Sequence, residues 1–95
     1  MRTFIFTVER LEFVGGGKFL LGGRNCKDVL RRGDRLHVRN KSEALKDAEF
    51  CVDEILFYNH TVETVDTGHT AGLFFSNELA CHVRLGDELY GQSDT

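Results

Sequence analysis

The sequence predicts an all-β domain, and three observations carry that expectation. Apolar residues recur with a period of two in short runs, beginning with Phe4, Phe6 and Val8. Turn signals rich in Gly, Asn and Asp separate the runs at short intervals, and none of the 95 residues is proline. No long segment carries the 3.6-residue period of an amphipathic helix. An open sheet of this size would leave two unpaired edges, so a small closed antiparallel barrel is favoured.

Taken in order, the first strand alternates through Phe4, Phe6 and Val8 and resumes out of phase at Leu11 and Phe13. A phase slip near Glu9-Arg10 predicts a bulge there. Gly15-Gly16-Gly17 then predicts a tight turn into Lys18-Phe19-Leu20-Leu21, and Gly22-Gly23 predicts a second interruption. Gly33-Asp34 is a turn signal, after which Leu36 and Val38 alternate with Arg35, His37 and Arg39 as a half-exposed strand would. Residues 40–49 are polar and suit a loop better than a single helical turn. Residues 50–58 are strand-like, Asn59-His60 marks a turn, and 61–65 form a short β-branched strand. A turn at 66–69 precedes the buried run Gly72-Leu73-Phe74-Phe75, and 85–90 supply the closing strand.

At 95 residues, with eight Phe and a 41% apolar fraction, one domain over residues 1–95 is expected, with enough apolar surface to fold alone. The longest apolar runs are four or five residues, against roughly 20 needed to span a bilayer. No signal-peptide pattern opens the chain, so a membrane role is not expected. Cys26, Cys51 and Cys81 are odd in number and make no disulfide framework, which suits a reducing cytoplasm.

A set of ordered motifs resembles a known family. Residues 17–24, Gly-Lys-Phe-Leu-Leu-Gly-Gly-Arg, are followed by Val-Leu-Arg-Arg-Gly-Asp-Arg-Leu at 29–36. Gly68-His69-Thr70-Ala71-Gly72-Leu73-Phe74-Phe75 and Val83-Arg84-Leu85-Gly86-Asp87-Glu88-Leu89 come next. In this order they resemble the second domain of elongation factor Tu and its relatives among the translational GTPases. The resemblance covers about residues 4–91 and leaves 92–95 as a polar tail. It implies a six- or seven-stranded Greek-key barrel in which Gly33 and Gly86 each start a strand and Gly72 permits close packing. In elongation factor Tu this barrel helps hold the aminoacyl end of tRNA, and in other translational GTPases it touches ribosomal RNA. The sequence has no G-x-x-x-x-G-K-S/T loop, so nucleotide binding and hydrolysis are not expected of it. Of the family's tRNA-gripping positions only Glu9 keeps its chemical type; the stacking aromatic and the polar Thr are replaced within Val8-Glu9-Arg10-Leu11 and Leu20-Leu21.

Neither a metal centre nor a catalytic site is expected. His60, His69, His82 and the cysteines lack the short spacing of zinc ligands, and Cys81-His82 would point to opposite faces of a strand. The adjacent carboxylates Asp53-Glu54 and Asp87-Glu88 would likewise face apart. No strained nucleophile turn accompanies any Cys or His, so no enzyme activity and no cofactor are expected.

Charge is the remaining functional signal. Residues 1–46 carry eleven Lys/Arg and five Asp/Glu, whereas 47–95 carry one and ten. Interleaved strands would let the halves neutralise each other. Separate faces would instead steer opposite partners. The acidic half suggests a protein partner, for example a basic nuclease toxin met by an inhibitor or immunity protein, with Glu63, Asp66, Glu78 and Asp53 as contacts. The basic run offers the alternative of RNA or the ribosome, through Arg31, Arg35, Arg39 and Lys41. Asp28 and Asp34 interrupt that run, and it contains no stacking aromatic.

Overall fold

Phe4, Phe6 and Val8 line the buried face of a long first strand, β1 (Arg2–Gly15), in the computed structural model, which describes residues 1–39 and 42–94. Nine further strands follow: β2 (Lys18–Asn25), β3 (Leu30–Arg31), β4 (Arg35–Arg39), β5 (Phe50–Cys51), β6 (Glu54–Phe57), β7 (His60–Val62), β8 (Thr64–Val65), β9 (Thr70–Phe75) and β10 (Glu88–Ser93). Among the described residues the only helical pieces are 3-10 turns at Glu43–Leu45 and Glu78–His82. Every strand pair is antiparallel, and eight strands form one curled sheet in the order β5-β4-β10-β1-β2-β9-β6-β7. A separate ladder joins β3 to β8.

The inner face packs Phe4, Phe6, Leu21, Leu36, Phe50, Ile55, Leu73, Phe75 and Leu89, all 1% exposed or less. Phe50 and Phe75 meet edge-on with ring centroids 5.7 Å apart. Residues 50–57 tie distant parts of the sheet together. Their first half pairs with β4 and their second half with β9. Between the two, the Val52 N–H donates to the Asp34 carbonyl at 3.0 Å and the Asp53 N–H to the Phe74 carbonyl at 2.9 Å.

The bulge lies where the phase slip placed it. Val8 faces Gly23 and Arg10 faces Gly22, which leaves Glu9 as the extra residue. Gly22-Gly23 does not interrupt the strand, contrary to expectation; both glycines lie inside β2. The reason is close approach: a Cβ on Gly23 would sit 1.9 Å from the Thr7 carbonyl oxygen. Beyond the bulge Leu11 and Phe13 are not buried as the alternation suggested. They lie on the part of β1 beyond its pairing with β10, where Leu11 faces buried Leu21 and Phe13 packs on Phe19 with centroids 5.2 Å apart.

One turn is used twice. Residues 31–34 and 84–87 both run x-x-Gly-Asp, with φ of +92° at Gly33 and +89° at Gly86, where an L side chain would be strained. In each, the Asp carboxylate accepts from the N–H three residues earlier, Arg31 at 2.7 Å and Arg84 at 2.8 Å. Each turn delivers the chain into a strand, β4 and β10, and these strands pair with each other.

Other differences follow from pairing partners that sequence does not disclose. The strand expected at 61–65 divides at Glu63, because β7 pairs with β6 whereas β8 pairs with β3. With such splitting, ten strand segments are assigned among the described residues. The loop expected over 40–49 contains the Glu43–Leu45 turn, which buries Leu45. The closing strand starts at Glu88 and extends into the expected tail, with Gln92 opposite Thr3 and Ser93 opposite Arg2.

Candidate functional site

β4, β10 and β1 lie side by side, and the inward residues of each fix what the others must do. Leu36 and Val38, Leu89, and Phe4, Phe6 and Val8 fill the core, so the residues between them face outward. Register then sets the neighbours. His37, Tyr90 and Ile5 form one cross-strand row, and Arg39, Glu88 and Thr7 form the next. Arg35, Gln92 and Thr3 border the first row on its other side and line the same cleft as His37, Arg39 and Tyr90. That cleft has a volume of about 480 Å³.

Tyr90 sits at the centre of this face. The Arg39 guanidinium lies over its ring, 4.7 Å from the centroid, and the His37 ring is tilted against it at 5.8 Å. His37 Nδ1 is 2.9 Å from the Ala48 carbonyl, so that nitrogen carries the proton and donates. Its Nε2 is 3.8 Å from a Glu49 oxygen. Arg35 donates to Glu49 at 3.1 Å, and Arg39 to Glu88 at 3.4 Å. Both pairs are exposed and so individually weak.

Of the basic residues expected to act together, only Arg35 and Arg39 share this face. Arg31 sits on the separate β3–β8 ladder, and Lys41 lies outside the described residues. Sequence reading missed Tyr90, since the basic run holds no aromatic of its own and the ring arrives from a strand about fifty residues away. The sequence placed Tyr90 in the closing strand, but not which strand that would border.

The four acidic candidates are all exposed and lie on different segments. Asp53, between β5 and β6, accepts from the Ser76 hydroxyl at 2.6 Å. Glu63, at the break between β7 and β8, pairs with Arg32 at 3.3 Å. Asp66 follows β8, and Glu78 opens the second 3-10 turn. With Arg32–Glu63, Arg35–Glu49 and Arg39–Glu88 each joining the basic half to the acidic half, the charges interleave at these places.

The adjacent pair Cys81-His82 differs from expectation in setting. Cys81 and His82 lie on a 3-10 turn rather than a strand. Asp87 belongs to the turn before β10, and Glu88 pairs with Arg39. Cys26, Cys51 and Cys81 are exposed free thiols. Among the described residues, no three His, Cys, Asp or Glu side chains gather as metal ligands would, and no helix is long and apolar enough to cross a membrane.

No protein-family model matches the chain, and no curated protein matches it in sequence. Solved structures match its shape. Translation elongation factor SelB from Methanococcus maripaludis, in its apo form, is similar with a TM-score of 0.79 at 18% identity, over 97% of this chain and 20% of that one. The same factor in complex with the GTP analogue GppNHp gives the same values. The chain thus spans about a fifth of the length of that factor. The likeness shows the fold alone: an all-β, curled antiparallel sheet resembling a domain of a translation elongation factor.

Proposed function

We propose that the chain is a non-catalytic, RNA- or ribosome-contacting module of the translation-factor type, and that the β4–β10–β1 face makes the contact. The observation that carries this is the Arg39 guanidinium over the Tyr90 ring at 4.7 Å, with Arg35 and His37 lining the same cleft. Arginine supplies a charge and a planar fork for phosphate, and a partly exposed tyrosine offers a ring for bases. The exposed pairs to Glu49 and Glu88 give up little when a phosphate replaces the carboxylate. The likeness in fold to a translation elongation factor is consistent with such a role. The same reading takes the curled sheet as a closed Greek-key barrel over residues 1–95, a view supported by the paired bonds of Val52 and Asp53.

Fluorescence anisotropy with labelled RNA at several salt concentrations tests the reading. Binding should weaken with salt, by about 0.7 in the slope of log K on log salt for each phosphate met. The double change Arg35→Glu and Arg39→Glu should abolish it while circular dichroism stays that of the parent. Retention of full affinity in the double variant would refute the assignment of this face.

A second reading keeps the acidic half as a docking surface for a basic protein, such as a nuclease toxin, and draws on the exposure of Glu63, Asp66, Glu78 and Asp53. Reversing those four charges should then slow association with the partner and leave RNA binding unchanged.

A further inference from the structure

Building on the RNA-contact reading, we propose that the outward face of β4, β10 and β1 is a platform for single-stranded RNA, with one unpaired base seated against Tyr90. Three observations select a single strand over a duplex. The first is the open sheet surface itself. Its outward residues, Ile5, His37 and Tyr90 in one row with Arg39, Glu88 and Thr7 in the next, are set by register and half-buried or exposed. Splayed bases lie down on such a surface, whereas a duplex hides its base faces within its own stack.

The second is the cleft. Its volume of about 480 Å³ accommodates one base with its ribose, and its lining changes character across its width. Tyr90 and Ile5 supply apolar surface, while Thr3 and Gln92 supply hydrogen-bonding groups along one side. That division suits a flat ring with polar edges.

The third is the position of the charges. Arg35 and Arg39 flank His37 on β4, with side chains 70% and 60% exposed, so both can follow a backbone past the seated base. Arg39 covers the Tyr90 ring and forms an exposed pair with Glu88. When it turns to a phosphate it uncovers the ring for the base. Glu49 and Glu88 hold the two arginines on the face in the unbound protein and are exchanged for phosphates on binding.

The test compares three probes on the 95-residue chain by anisotropy at one salt concentration: a short RNA oligomer, the blunt duplex of the same sequence, and the same strand with abasic sites. The intact single strand should bind at least about tenfold tighter than either of the others. Tyr90→Leu should weaken the single strand by about tenfold and leave the abasic strand unchanged, while Tyr90→Phe keeps full affinity because the ring survives. Duplex or abasic RNA binding as tightly as the intact strand would overturn the platform while leaving RNA contact standing. Failure of all three probes to bind would overturn both. The comparison of probes on the unsubstituted chain decides the matter even if the Leu variant does not fold.

Discussion

Asp34 and Asp87 occupy the same place in two copies of one turn, yet their surroundings differ. Asp34 is 8% exposed and takes two further bonds from the Arg2 guanidinium, at 2.9 and 3.1 Å. Arg2 in turn donates to the Val29 carbonyl, so the pair fastens the start of β1 to the turn before β4. Removing one partner of a buried pair leaves the other charged and poorly solvated. Asp34→Asn should therefore cost about 3 kcal/mol in urea unfolding. Asp87→Asn, in the more open turn, should cost about 1 kcal/mol. Gly23 is constrained sterically. A methyl group there would collide with the Thr7 backbone, which cannot swing away as a side chain could. Gly23→Ala should lower stability by about 3 kcal/mol or more, measured in the same way.

At the scale of elements, residues 50–57 decide whether the curled sheet holds its shape. The Asp53 N–H bonded to Phe74 is one of the bonds linking this stretch to β9. Asp53→Pro deletes that donor and should lower the unfolding free energy by roughly 1 to 3 kcal/mol, whereas Asp53→Ala, which keeps the N–H, should lower it less. The elements differ in how legible they were. The bulge at Glu9, the half-exposed alternation of β4 and the Gly33-Asp34 turn are local in cause, so residue pattern alone revealed them, whereas the second turn, at Gly86-Asp87, followed only from the family resemblance. The Gly22-Gly23 pair misled because the glycines answer to a neighbouring backbone rather than to a turn. Leu11 and Phe13 misled because alternation predicts which residues share a face, not whether anything covers that face. The candidate site was half legible for the same reason. Arg35, His37 and Arg39 could be placed together from one strand, but Tyr90 and Ile5 join them only through strand pairing.

For the whole molecule, the division between a basic first half and an acidic second half does not survive as two clean faces. Among the described residues, three arginine–carboxylate pairs cross between the halves, and all are exposed. Such pairs contribute little each and are screened by salt. Raising salt to about 1 M should therefore change the unfolding free energy by roughly 1 kcal/mol or less, while the same change severely weakens RNA binding. That contrast separates charges that hold the fold from charges that hold a partner.

The most direct measurement of the central claim is an NMR titration of the isotopically labelled chain with a short single-stranded RNA. Amide shifts should concentrate at Thr3 and Ile5 on β1, at residues 35–39 on β4 and at residues 88–92 on β10. Shifts confined to Glu63, Asp66, Glu78 and Asp53, or no shifts at any RNA concentration, would contradict that claim.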